Sequence, residues 1–350
     1  MLRVLIVDDS ALMRRKLTTI FEEAGGFEIL QARNGSEAVT MNREVEPDVV
    51  TLDINMPEVD GLTALTMLMA ERPVPVVMFS SLTVRSALPT FEALALGAVD
   101  YVAKPGGTIS LDIGTVAKEL VTKVRTAARA RLKTRTPSPL AKPPVVAAKP
   151  TPRLVSSTTR QPGLVLIGVS TGGPRTLEDV LPYLPAEFPW PVLVAQHMPA
   201  SFTAAFAQRL NGLCRLPVEE VSRAQELLPG RIYIGRGDAD LLVSQRGGQK
   251  VALCRPEQAE FLWHPSVELL GRSALEHYPA SALIGVMLTG MGHDGAAAFT
   301  EILRRGGRTI AESQESAVVF GMPAKLIEAG GAGLVLPADR IAQQLMEWTR

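Results

Sequence analysis

The sequence predicts two α/β domains in tandem. The first has a doubly wound, five-stranded parallel sheet; the second has a mostly parallel sheet with a short antiparallel hairpin. Three observations predict this. From Leu2 to about Arg131, short β-branched runs alternate with stretches of helical period. The alternation resumes at Leu164. Between them lie Pro137, Pro139, Pro143, Pro144, Pro150, Pro152 and Pro162, among Ser, Thr, Ala and scattered basic residues, with no hydrophobic period. Such a stretch reads as a semi-rigid, partly extended linker. The domains are therefore placed at 1–131 and 163–350, with the linker at 132–162.

In the first domain the strand-like runs are Val4–Val7, Phe27–Leu30, Val49–Leu52, Val74–Phe79 and Val99–Val102. Helical periods cover Ala11–Ala24, Ser36–Arg43, Leu62–Glu71 and Thr90–Leu96, and a final helix starts near Thr115. The second domain opens with Leu164–Val169, a helix from Pro174, the strand Val192–Ala195 and a helix from Ser201. A β-rich middle (Arg231–Ile234, Leu241–Val243, Val251–Leu253) reads as a hairpin or antiparallel edge. Alternation returns with Leu283–Leu288 and a helix after Asp294, and a last helix starts near Ala338.

Composition narrows the function classes. The 350 residues carry 36 basic and 36 acidic side chains, so no basic face is indicated for nucleic acid. The opening apolar run is cut short by Asp8 and Asp9, which makes it a buried strand rather than a signal peptide. No later run is long enough to span a bilayer, so a cytoplasmic protein without membrane insertion is expected. Cys214 and Cys254 lack metal-ligand spacing and read as reduced thiols, a disulfide being the alternative.

Five chemically active side chains fall at strand ends in the first domain: Asp8 and Asp9, Asp53, Ser80 and Lys104. In doubly wound sheets, ligands bind outside the carboxyl ends of strands. Two carboxylates about 4 Å apart repel by roughly 4 kcal/mol at an effective dielectric of about 20. A divalent cation removes that cost, and an all-oxygen site with water suits Mg²⁺. The Ser80 hydroxyl and Lys104 ammonium can hold the oxygens of a phosphoryl group on Asp53. Asp9, beside Ser10 at a helix start, also fits a simple helix cap, but that reading does not cover all five residues together. Val7-Asp8-Asp9-Ser10, Leu52-Asp53-Ile54-Asn55-Met56-Pro57 with Asp60-Gly61, Met78-Phe79-Ser80-Ser81 and Val102-Ala103-Lys104-Pro105 resemble a response-regulator receiver domain. That resemblance implies phosphorylation of Asp53 by a sensor histidine kinase. It also implies Mg²⁺ bound by Asp9, Asp53 and the main-chain carbonyl of Asn55, with Asp8 acting through water, and phosphate sensing by Ser80 and Lys104.

In the second domain Gly168-Val169-Ser170-Thr171-Gly172-Gly173 follows a strand and precedes a helix opened by Pro174. This fits a G-x-S-x-G elbow, in which a tight turn exposes the serine hydroxyl. A phosphate- or dinucleotide-binding loop is the competing reading, but neither the Lys-Ser/Thr of a P-loop nor the G-x-G-x-x-G spacing is present. Two further strand ends supply His197 and Asp294, so nucleophile, base and orienting carboxylate converge on one sheet edge. The order Ser…His…Asp differs from that of the α/β-hydrolases, so another fold carries the chemistry. Of the other histidines, His264 reads as packing or surface and His277 as a helix end. His293 rivals His197, but as the neighbour of Asp294 its side chain should diverge from it. The turn around Met291 can offer a main-chain N–H to an oxyanion hole, and Thr171 can help to position the histidine.

Gly168–Pro174, Gln196-His197-Met198-Pro199 with Phe202-Thr203 and Phe206, Leu288–Gly295, and Val318-Val319-Phe320-Gly321-Met322-Pro323 resemble the protein-glutamate methylesterases of bacterial chemotaxis. The resemblance implies hydrolysis of γ-glutamyl methyl esters on chemoreceptors, with release of methanol, and deamidation of glutamines at the same positions. No cofactor is implied for the esterase site. In that family the unphosphorylated receiver covers the esterase cleft, and phosphorylation loosens it. Three stretches depart from the family pattern. Gly235 and Arg236 stand where Ala and Pro are usual, Asp240 replaces a histidine, and Trp263-His264-Pro265-Ser266-Val267-Glu268 replaces His-Arg-Pro-Ser-Val-Asp. These departures bear on which receptor is the partner. A response regulator with a non-catalytic, protein-binding output domain is the alternative reading. A DNA-binding output lacks its basic helix pair.

Overall fold

A computed structural model describes residues 1–81, 84–104, 113–132 and 162–350. The expected linker lies almost wholly outside these residues, as does Pro105. The chain divides into two compact units, Met1–Thr136 and Pro137–Arg350.

The first unit runs β1 (Leu2–Val7), α1 (Ala11–Ala24), β2 (Phe27–Ala32), α2 (Gly35–Val45), β3 (Val49–Asp53), α3 (Gly61–Glu71), β4 (Val76–Ser81), α4 (Val84–Leu96), β5 (Asp100–Lys104) and α5 (Ile113–Ala127). Its five strands are ordered β2-β1-β3-β4-β5, all parallel. Every residue of β3 is buried, as expected of a central strand covered by helices on both faces. The helix starts follow local chemistry. Ser10 Oγ accepts from Met13 N–H, Asn34 Oδ1 from Glu37 N–H and Asp60 Oδ1 from Thr63 N–H. The α4 helix begins at Val84, six residues before the start its period suggests.

The second unit is built on a seven-stranded, wholly parallel sheet ordered β15-β14-β13-β6-β7-β10-β8. In chain order the elements are β6 (Leu164–Val169), α6 (Gly173–Val180), β7 (Val192–Gln196), α7 (Ala200–Leu213), β8 (Val218–Val221), β9 (Gln225–Glu226), β10 (Ile232–Gly235), β11 (Ala239–Arg246), β12 (Gln249–Pro256) and α8 (Val267–His277). There follow β13 (Leu283–Met287), α9 (Ala296–Arg304), β14 (Arg308–Glu312), α10 (Met322–Glu328), β15 (Leu334–Leu336) and α11 (Ala338–Trp348). A second, three-stranded antiparallel sheet is ordered β11-β12-β9. Its hairpin turns through Gly247 and Gly248, both at positive φ, the geometry a two-residue hairpin loop needs.

One expectation is corrected here. The stretch Arg231–Ile234 belongs to no hairpin, because β10 pairs in parallel with both β7 and β8. A four-residue strand buried on both faces shows no alternation, so its sequence does not distinguish parallel from antiparallel pairing. Cys214 is buried, Cys254 is half-buried, and neither is in a disulfide.

Candidate functional site

In the first unit the chain reverses direction across the sheet between β1 and β3, which opens a crevice at their carboxyl ends. Asp8 and Asp9 follow β1, and Asp53 ends β3. Carboxylate oxygens of the three lie within 4.8 Å of one another. Lys104 Nζ is 2.8 Å from both Asp8 Oδ2 and Asp53 Oδ2. Burial raises the Asp53 carboxyl above its ordinary value, against the pull of Lys104. Burial disfavours the Lys104 ammonium, but its bonds to Asp53 and Asp8 outweigh this and hold its pKa above the usual value. The Asn55 N–H lies against the Asp53 carboxylate and favours its charge. The Ser80 hydroxyl is buried, with no hydrogen-bond partner among the described residues. A cation between the carboxylates and an anion reaching Ser80 and Lys104 both fit this donor and acceptor set.

The raised Asp53 carboxyl leads to a stability prediction. A carboxyl raised on folding contributes stability at pH values below its unfolded pKa, and the contribution is lost as pH rises through the folded pKa. A charged Asp53 therefore strains the metal-free fold at neutral pH. Asp53→Asn is expected to stabilise this unit by about 1–2 kcal/mol at pH 7, with a smaller gain near about pH 4. Thermal unfolding in chelator checks this; an unchanged or lower midpoint at pH 7 would mean that Lys104 outweighs burial.

In the second unit the reversal falls between β6 and β13, because the chain leaves β6 toward β7 and leaves β13 toward β14. Ser170 follows β6, His197 follows β7, and Asp294 lies in the turn after β13. These three strands are adjacent. His197 N–H donates to Val169 O (3.1 Å) and Ser170 N–H to Thr289 O (2.9 Å), so the backbone on both sides of the serine is tied to its neighbours. Ser170 is half-buried at the surface end of β6. Gly172, at φ 79°, makes the turn into α6, and an added Cβ would lie 2.6 Å from Val318 Cβ.

His197 Nε2 lies 2.9 Å from Asp294 Oδ2. Asp294 can only accept while ionised, so Nε2 carries the hydrogen. Nδ1 is buried and has no hydrogen-bond partner among the described residues. Asp294 itself is held by the N-terminus of α8. It accepts from Val267 N–H (2.6 Å), Glu268 N–H (3.0 Å) and Ser266 Oγ–H (3.1 Å). Burial works against its charge, but the His197 contact and these backbone donors together hold the carboxyl below its usual value. Gln196, almost fully buried, donates through Nε2 to Ser170 O and His197 O, both at 3.0 Å. Buried Glu312 accepts from Thr289 N–H at 2.7 Å, and Thr289 Oγ1 donates to Thr171 O at 2.9 Å.

Met291 is half-buried, and Thr171 is buried beside the serine. The carbonyl of Gly290 accepts from both Gly321 N–H and Met322 N–H, which pins the turn that carries Met291. His293 is exposed and meets Trp263 ring to ring, and His277 ends α8. His264, expected as packing or surface, is half-buried, and its Nδ1 is 2.8 Å from Oδ1 of fully buried Asp240. The residues that sequence reasoning missed are Ser266, Gln196, Glu312 and the Asp240–His264 pair. Ser266 had a readable signal, a serine N-cap ahead of an apolar period. The others are joined only by tertiary contacts.

The sequence profile of CheB methylesterase matches residues 165–345, and that of the response regulator receiver domain matches residues 4–112. A Rhodospirillum rubrum protein named protein-glutamate methylesterase/protein-glutamine glutaminase 3 is 54% identical, covering 99% of this chain and 96% of its own length. A Rhodopseudomonas palustris protein named protein-glutamate methylesterase/protein-glutamine glutaminase 2 is 51% identical, over 99% of this chain and 98% of its own. The crystal structure of the Thermotoga maritima CheB methylesterase catalytic domain is 40% identical, with a TM-score of 0.52, and covers 54% of this chain and 99% of that one. Strand-end chemistry, sheet order and full-length similarity agree: the chain belongs to the CheB methylesterase family, with a response-regulator receiver domain ahead of its methylesterase domain.

Proposed function

We propose that this chain is a phosphorylation-activated serine hydrolase that removes methyl groups from γ-glutamyl methyl esters on chemoreceptors and deamidates glutamines at the same positions. The single observation that carries the reading is the His197 imidazole, bound to Asp294 through Nε2 and buried at Nδ1 with no partner among the described residues, beside the strand that presents Ser170. In this scheme Nδ1 takes the Ser170 proton as Oγ attacks the ester carbonyl. Asp294 stabilises the imidazolium, and a main-chain N–H near Met291 receives the oxyanion, with Thr171 supporting the histidine. The imidazolium then protonates the leaving methoxide, methanol departs, and water cleaves the acyl-serine by the same proton route. With a glutamine substrate the leaving group is ammonia.

In the receiver, Asp53 accepts the phosphoryl group from a sensor histidine kinase, while Ser80 and Lys104 engage its oxygens. Asp8, Asp9, Asp53 and the Asn55 carbonyl would hold Mg²⁺, which neutralises charge on the transferring phosphoryl group when bound. Restraint of the esterase by the unphosphorylated receiver is the proposed regulation. Moving such an equilibrium between its extremes requires about 5 kcal/mol of differential interaction. No described helix is long and apolar enough to cross a membrane. We place the protein in the cytoplasm, associated peripherally with receptor arrays.

Methanol release from methylated chemoreceptor membranes, with and without a small-molecule phosphodonor plus Mg²⁺, tests this function. Release should rise with the donor, and the rise should vanish in Asp53→Ala. Absence of release under both conditions would leave the non-catalytic output domain as the better account.

A further inference from the structure

His197 has one side-chain anchor, the hydrogen bond to Asp294, and one bond leaves a histidine ring free to swing about its broad second torsion. The ring is largely buried, and one aromatic neighbour lies parallel to it, Trp263. Its indole lies within 7° of parallel to the imidazole, with centroids 6.0 Å apart. The same indole meets the His293 ring edge-on at 5.2 Å. Gly292, at φ 94°, leaves the space for it, since an added Cβ would lie 2.7 Å from Trp263 Cζ2. The indole is thus wedged between the imidazole that follows β7 and the turn that follows β13.

The loop that carries Trp263 is tied to a fully buried carboxylate. Asp240 faces His264 Nδ1 at 2.8 Å, and accepts from Ser266 N–H at 3.0 Å and from Gln258 N–H at 3.1 Å. Both ends of the loop from Gln258 to Ser266 are therefore tied to one side chain. Ser266 also donates its hydroxyl to Asp294. One loop contacts both His197, through the indole, and Asp294, through the serine.

We propose that Trp263 is a positioning residue that holds the His197 imidazole in line for Ser170, and that Asp240 and His264 form the clamp that holds Trp263. This rests on His197 acting as the base in the hydrolytic scheme. A wedge that merely filled space would support the fold without fixing the ring, and the two cases separate experimentally.

The full-length chain is compared with Trp263→Ala, Trp263→Phe and Asp240→Asn. Long-range proton–nitrogen spectra of the imidazoles are recorded, together with kcat and KM for methanol release from methylated chemoreceptor membranes. In the parent, His197 should show one tautomer, protonated at Nε2. In Trp263→Ala its two nitrogen signals should move toward averaged values. Its kcat should fall by about 10–100-fold, the cost of a misplacement of order 1 Å, with KM changed by less than about twofold. Asp240→Asn should behave likewise. Trp263→Phe, which keeps a flat face and disturbs the fold least, should restore the single tautomer and most of kcat. Unchanged His197 signals in Trp263→Ala, or a phenylalanine variant no better than the alanine one, would overturn the proposal. If the parent releases no methanol, the receptor-esterase reading fails, while the imidazole spectra still decide whether Trp263 orders the ring.

Discussion

Asp294→Asn is expected to lower ester hydrolysis by about four orders of magnitude, through the tautomer it imposes on His197. With its NH₂ toward Nε2, the amide would force that nitrogen to accept and move the ring proton to Nδ1, where a general base needs its lone pair. The alternative orientation is also blocked. Both carboxylate oxygens of Asp294 accept backbone N–H groups, Oδ2 from Val267 and Oδ1 from Glu268, so either orientation of an amide sets donor against donor. The variant should therefore also lose about 1–3 kcal/mol of stability. The pH dependence follows from the depressed carboxyl. Its contribution is present above the unfolded carboxylate range, about pH 4, and is lost as pH falls through the lower folded value. In the asparagine variant that part of the acid sensitivity should disappear. The check is kcat beside Ser170→Ala, with thermal unfolding from neutral to acid pH. A rate loss below about tenfold would assign the orienting role to a different carboxylate.

Gly237→Ala is expected to cost the second unit at least about 3 kcal/mol and to take its activity with it. An added Cβ there would lie 2.0 Å from Met198 O, 2.5 Å from Ala200 N and 2.5 Å from Pro199 C. These are backbone atoms, which cannot rotate aside as a side chain can. They belong to the segment that leaves His197 and enters α7. Relief of the clash would shift that segment and carry the imidazole with it. Gly237 N–H also donates to buried Thr203 Oγ1, which in turn bonds Glu220, so the displacement would disturb β8 as well. Denaturant unfolding together with turnover measures both effects. A loss below about 1 kcal/mol would show that the loop yields easily.

Much of the architecture was legible because its signals are local. The run Leu164–Val169 is a strand in the structure with the same limits the apolar pattern suggests. The positions of Asp53, Ser170 and His197 at or just beyond strand ends follow from where each β-branched run stops. The first helix starts at Ala11, where its period begins, with Ser10 rather than Asp9 as its cap. Strand partners were harder to read. The run containing Ile232 and Ile234 looks the same whether paired in parallel or antiparallel, and its place between β7 and β8 depends on distant backbone.

By itself, then, the sequence determined two α/β units, the chemistry available at their strand ends, and the family. Tertiary structure decided how those side chains are held. The α8 N-terminus reaches Asp294 across 27 residues, Asp240 meets His264 across 24, and Trp263 stacks on His197 from a loop beyond the hairpin. Periodicity and capping act within a turn or a strand, whereas these contacts depend on sheet order and on which loops a crevice brings together. The Asp240–His264 pairing became visible only when β11 and the loop before α8 were placed side by side.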